Sequence, residues 1–170
     1  MQEGDAFVRL LIKNAHIITP YNILHNFELA VEGNKIKHIV PSGTLGEKEF
    51  DEIIDAKDNY LSPGFIDLHT HANSGHDTMD ASFEAINAMA RFHIKNGVTG
   101  FLATTRTAST EETKRAIKNV ADYISRQKQN VGTLDTSGSA PAKVLGLYLE
   151  GPYFSMAKKG AQSPKYIKNP

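Results

Sequence analysis

The feature that most constrains this fold is a change of pattern at Pro63-Gly64. Before it the chain is written in short β-like runs; after it, strand-like and helix-like stretches alternate. Residues 65–71 (FIDLHTH) read as a strand. Residues 82–96 read as a helix, with Ser82 as N-cap, Phe83, Ile86, Met89, Ala90 and His93 at helical spacing, and Gly97 as the C′ residue. Residues 98–105 (VTGFLATT) are the next strand. A second helix opens at the S-x-x-E capping box of Ser109 and Glu112 and carries a stripe of Ile117, Val120, Ala121 and Ile124. The polar loop KQNVGTLDTSGSAPA then leads into a third strand, KVLGLYLEGP, and the chain runs out in the loop GAQSPKYIKNP. Strands separated by helices in this order form right-handed βαβ units and a parallel sheet, which is an α/β fold.

From Phe7 to about Tyr60 the runs VRLLIKNAHII and FELAVEGNKIKHIV predict a small antiparallel β unit. Phe27, Leu29 and Val31 share a face at period two, and Gly33-Asn34 is a two-residue turn signal that folds the second run into a hairpin. Some 50 residues of short strands bury too little apolar surface to stand unaided. The expected organisation is therefore a β segment over 1–60 and βα units over 61–170.

Composition removes several function classes. Nineteen basic residues balance nineteen acidic ones, and no lysine/arginine cluster has the size of a phosphate-backbone footprint, so no nucleic-acid partner is expected. No apolar run approaches the roughly 18–20 residues of a membrane span. The N-terminal MQEGDAFVRL lacks the basic-then-apolar pattern of a signal, so a cytoplasmic protein is expected. The absence of cysteine excludes disulfides and thiolate metal sites, and leaves histidine and carboxylate as the ligands available.

Side chains two apart on a strand share a face, which places Phe65, Asp67, His69 and His71 together and Ile66, Leu68 and Thr70 opposite. On the third strand Leu145, Leu147 and Leu149 fall on one face, and Gly146, Tyr148 and Glu150 on the other, Glu150 at the tip. Ionisable groups thus gather at the C-terminal ends of parallel strands, where α/β proteins keep their sites. Imidazoles at i and i+2 can bind one ion together, and a glutamate can approach the same ion or bridge to another. With one strand between them the two elements lie about 10 Å apart, so their side chains must converge across that gap. Asp67 could orient a ligand or be a satisfied core carboxylate. His16, His25, His38 and His93 read as structural, and His76, in the loop ANSGHDTMD, as solvated.

SPGFIDLHTH resembles the first-strand signature of the amidohydrolase superfamily, metal-dependent hydrolases built on a (β/α)8 barrel beside a small β-sandwich. GVTGFLATT, and above all LGLYLEGPYFSMAKKGAQSPKYI, resemble the N-acetylglucosamine-6-phosphate deacetylase family within it. The resemblance covers nearly the whole chain. It implies the first three strands of a barrel preceded by part of the sandwich, Glu150 as a metal ligand, and His69 and His71 at the second metal position of members that keep both. It implies one or two divalent ions, zinc or iron, and an amino-sugar phosphate substrate met by Ala161, through its backbone, and Gln162. Many relatives have histidine where this chain has Gln162. No role follows for Lys158 or Lys159.

The implied reaction is hydrolysis of the acetamide of N-acetylglucosamine 6-phosphate. The aspartate that moves the proton, and two further histidine ligands, belong to later strands. A barrel takes roughly 250 residues and only about 110 follow the β unit here, so the chain itself is expected to be inactive. Other readings stay open: a dihydroorotase-like cyclic amidase, a non-catalytic remnant that binds a partner subunit, and a complete small α/β domain with incidental histidines. The sequence leaves oligomeric state undecided, a homo-oligomer included.

Overall fold

The structure, a computed structural model, describes residues 8–129 and 140–169. Phe7, most of the MQEGDAFVRL segment and most of the KQNVGTLDTSGSAPA loop lie outside the described residues. The chain forms two compact units, Met1–Pro63 and Gly64–Pro170.

In the first unit, β1 (Arg9–Ile18), β2 (Ile23–Glu32), β3 (Lys35–Pro41), β4 (Glu52–Asp55) and β5 (Tyr60–Leu61) form one sheet. β2 and β3 are the expected hairpin around Gly33-Asn34, and β1 pairs antiparallel with β2. The unit is not wholly antiparallel, however, because β4 and β5 both run parallel to β1 along its other edge. The long return through a short 3-10 turn at Glu47–Glu49 permits that direction. One face carries Ala15, Ile17 and Leu29 with Phe27 and Val31 packed against them, the period-two set of β2. On the other face Glu28 is buried, its carboxylate accepting the backbone N–H groups of Gly43 (3.1 Å) and Leu45 (2.7 Å). Those two bonds offset the cost of burying the charge.

In the second unit β6 (Phe65–Thr70) is followed by a two-residue hairpin, β7 (Ala72–Asn73) and β8 (His76–Asp77), where a plain loop was expected. Then come α1 (Phe83–Lys95), β9 (Val98–Thr104), α2 (Thr110–Lys128) and β10 (Lys143–Tyr148). The three long strands are parallel in the order β10-β9-β6, as the alternation predicts. Ser82 caps α1, accepting from Ala85 N–H, and Ser109 and Glu112 form the reciprocal capping box of α2. A short 3-10 turn, Pro164–Tyr166, lies within the final loop. No helix of the described residues is long and apolar enough to cross a membrane.

The core lies between the helices and one sheet face: Ile86, Met89 and Ala90 from α1, Val120 and Tyr123 from α2, Phe101, Ala103 and Val144 from the strands. The expected α2 stripe is displaced, since Ala116, Val120 and Tyr123 are buried whereas Ile117 and Ala121 are exposed. Tyr123 takes the central place because its ring fills the core while its hydroxyl donates to Asn87 Oδ1 at 3.1 Å. Burial pushes its pKa up to about 12.

Two irregularities correct the face assignments. In β10 an extra residue at Leu145 interrupts the register between Val144 and Gly146. Val144 and Leu147 therefore pack on the core, while Leu145, 49% exposed, lies over Gly100 on the opposite side, so the three leucines do not share a face. The pairing of β6 with β9 also shifts twice, between Phe65 and Ile66 and between Asp67 and Thr70, so strict alternation does not run from Phe65 to His71. The first shift seats Thr99 where a side chain on residue 64 would be. A Cβ there would meet Thr99 Cγ2 at 2.1 Å, and only glycine fits.

Candidate metal centre

β6 and β10 end short of the residues of interest: His71 follows β6, and Glu150 lies in the turn after β10. The end of β9 holds both. Thr104 Oγ1 accepts Thr70 N–H (3.0 Å), Thr105 N–H donates to Tyr148 C=O (3.0 Å), and Glu150 N–H donates to Thr105 Oγ1 (3.2 Å). These buried threonines escaped the sequence reading. Their signal was the run ATTRT at a strand end, where hydroxyls can serve neighbouring backbones.

The convergence anticipated across two strands is present. Nε2 of His69 and Nε2 of His71 lie 3.1 Å apart, and Oε2 of Glu150 lies 2.9 Å from each. The resemblance divided these residues between two metal positions; in the structure their three atoms surround one point. Oε2 is buried and neither imidazole approaches it with hydrogen-bond geometry, so it is an acceptor without a donor among the described residues. Donor atoms bound about 2.1 Å from one ion lie roughly 3.0–3.4 Å apart, depending on the ligand angle. The donor set and its spacing fit a divalent ion.

Around the triad, the Tyr148 ring stands 5.0 Å from that of His69. Asp67 does not reach an imidazole: its Oδ1 accepts the backbone N–H of His69 at 3.0 Å, holding the main chain at the ligand. Gln162 Nε2 donates to Oε1 of Glu150 at 2.6 Å, and Gln162 Oε1 accepts Thr107 N–H at 2.8 Å. Beside these a cleft of about 390 Å³ is lined by His71, Arg106, Ala161, Gln162 and Tyr166, among others, so both residues expected at substrate border it. Arg106 is paired there with Asp77 at 2.6 Å.

The remaining histidines stand outside the cluster. His76 pairs with Asp80 (3.8 Å), and His16 accepts from Asn26 N–H (3.4 Å). His93 is buried against Phe101, 3.1 Å from the Asn73 amide, and desolvation holds its pKa below the ordinary value against the opposing pull of Asp67. Lys159 Nζ donates to the carbonyls of Gly160 and Gln162.

At the C-terminal ends of parallel strands, two histidines and a glutamate thus form a cluster able to hold a divalent metal ion. Residues 60–169 match the Amidohydrolase family, and the chain belongs to that family. Among individual proteins, it is 33% identical over 156 residues to the N-acetylglucosamine-6-phosphate deacetylase of Haemophilus influenzae, a match covering 91% of this chain and 37% of that protein. The enzyme of the same name from Bacillus subtilis is also 33% identical, over 94% of this chain and 38% of its own length. The crystal structure of N-acetylglucosamine-6-phosphate deacetylase from Pasteurella multocida superposes with a TM-score of 0.78 at 31% identity, covering 94% of this chain and 38% of that one. The chain thus spans less than two fifths of these relatives.

Proposed function

We propose that the protein to which this chain contributes hydrolyses the acetamide of N-acetylglucosamine 6-phosphate to acetate and glucosamine 6-phosphate in the cytoplasm, and that the 170 residues alone do not. The observation that carries this reading is the meeting of His69, His71 and Glu150 within 3.1 Å of one another, beside a cleft bordered by Ala161 and Gln162. Relatives bearing the deacetylase name supply the substrate.

His69, His71 and Glu150 would hold a divalent ion, zinc or iron, which when bound polarises the amide carbonyl and lowers the pKa of its water from about 15.7 toward about 7. The chain's own residues then have defined tasks. Each imidazole presents Nε2, Glu150 offers Oε2, and Asp67 fixes the main chain of His69. The backbone of Ala161 and the Gln162 loop border the sugar.

Expulsion of the amine requires a carboxylate that takes a proton from water and passes it to nitrogen. The nearby aspartates are otherwise engaged: Asp67 holds His69 N–H, and the two oxygens of Asp77 take Met79 N–H (2.7 Å) and Arg106 (2.6 Å). That supports the inactivity of the chain by itself. We assign residues 61–170 to the first three units of a (β/α)8 barrel and 1–60 to part of a β-sandwich. Two features support this. Among the described residues no strand pairs with either edge of the parallel sheet, Phe65, Ile66 and Leu68 are exposed on one edge strand, and the first unit has an apolar hollow of about 350 Å³.

The test is acetate release from N-acetylglucosamine 6-phosphate, with a cyclic amide as second substrate, by the 170-residue chain and by the product of any reading frame that continues past Pro170. Turnover of the sugar by the longer product alone is expected. Enzyme-like turnover by the short chain, dependent on His69 and Glu150, would overturn the inactivity; preference for the cyclic amide would overturn the substrate.

A further inference from the structure

We propose that Gln162 is a positioning residue for the metal-ligating carboxylate, restricting Glu150 to ligation through one oxygen. The inference rests on the metal reading above.

The orientation of the Gln162 amide is determined by its neighbours. Thr107 N–H can only donate, so the atom 2.8 Å from it must be the amide oxygen. The NH2 group therefore faces Glu150 Oε1, 2.6 Å away; the reversed amide would set oxygen against oxygen and NH2 against N–H. Glu150 is gripped at two points, its backbone N–H by Thr105 Oγ1 and its Oε1 by Gln162. Oε2 is left as the oxygen facing both imidazoles at 2.9 Å.

A glutamate without this partner can rotate its terminal torsion freely and present either oxygen, or both. The amide removes that freedom while adding no charge, so the carboxylate keeps its full negative charge for the ion. A lysine or arginine at this position would instead compete with the ion for the same charge. Gln162 sits in the loop bordering the cleft, yet its oxygen is anchored on Thr107 just beyond β9. The loop is thereby tied to the geometry of the ligand.

Gln162→Met keeps length and bulk and removes only the donor and acceptor. In the 170-residue chain, Co(II) titration followed by the visible d–d band should show affinity falling about 10–100-fold, the range for loss of a residue that orients a ligand. The band should also change shape as Glu150 is freed to rotate; the Thr107 N–H left unpaired lowers the unfolding temperature as well, so the titration is run well below the unfolding temperature of both metal-free chains. A second readout needs no metal: the Gln162 side-chain NH2 should give a downfield, slowly exchanging proton resonance that Glu150→Met removes. Equal Co(II) affinity and an unchanged band in Q162M would overturn the positioning role and leave the metal site standing. Failure of the unsubstituted chain to take up Co(II) would overturn the metal reading, and the positioning role with it.

Discussion

A Cβ on Gly151 would lie 2.1 Å from Oγ1 of Thr107. Gly151 follows Glu150 and has φ +84°, while Thr107 N–H anchors Gln162, so the turn that presents the carboxylate is seated against the end of β9 by its bare backbone. Gly151→Ala meets two penalties, a left-handed backbone and the collision. It should cost about 2 kcal/mol or more in urea unfolding, the left-handed conformation alone supplying roughly 1–2 kcal/mol. Adding Thr107→Ala should return the part due to the Oγ1 collision and leave the backbone part. A G151A chain as stable as the parent would show that the turn relaxes freely.

If the triad holds an ion as proposed, stability should depend on metal. An ion that binds only the folded chain stabilises it by RT ln(1 + [L]/Kd), about 2.7 kcal/mol at a hundredfold excess over Kd. Zinc or cobalt should raise the unfolding temperature of the metal-free chain, and a chelator should reverse the rise. His69→Ala, His71→Ala and Glu150→Ala should each abolish most of the shift, because each removes one of the three converging donors. An undiminished shift in all three would place the ion elsewhere.

His93 should make the second unit sensitive to acid. Desolvation holds its pKa below the ordinary 6.5, so between the folded value and 6.5 the unfolded chain binds more protons. The stability it contributes is fully present above 6.5, is lost as pH falls toward the folded pKa, and changes no further below it. Urea midpoints of the metal-free chain and of His93→Gln, compared from about pH 8 to pH 5, should converge as pH falls. The two chains differ only at residue 93, so contributions from the rest of the molecule cancel in the comparison. A constant gap across the range would mean that His93 accepts a proton in place.

What the sequence made legible was periodic or punctuated. The S-x-x-E box of Ser109 and Glu112, the alternation of strand and helix, and the histidine spacing at 69 and 71 are local signals, and the structure contains each of them. What escaped was set by neighbours in space. The extra residue at Leu145 reverses a face that alternation alone assigns; the isolated Gly146 beside it is the one local signal of such a bulge, and it does not say which residue is added. Tyr123 lies outside the aliphatic stripe read on α2, yet it is buried because its ring fills the core while Asn87 satisfies its hydroxyl. β4 and β5 were hidden because parallel pairing to β1 depends on a long return that no turn motif announces. At the site, the ligand types were readable, but the threonines at 104, 105 and 107 and the committed amide of Gln162 appear only once β9 lies between the other strands.

A side chain of α2 also does the work of a strand neighbour. Gln127 Oε1 accepts Val144 N–H at 2.8 Å, and Gln127 Nε2 donates to Val144 C=O at 3.3 Å, so one amide satisfies both backbone groups of a buried residue beside the Leu145 irregularity. Leaving a buried backbone group unpaired costs about 1–3 kcal/mol. Gln127→Ala should therefore destabilise the chain by about 2 kcal/mol or more, and Gln127→Met by a similar amount, since methionine keeps the packing but not the bonds. Amide exchange of Val144 should accelerate in both. If Q127M retains the parental stability and Val144 protection while Q127A does not, then packing of the side chain, and not its paired hydrogen bonds, holds β10 at this point.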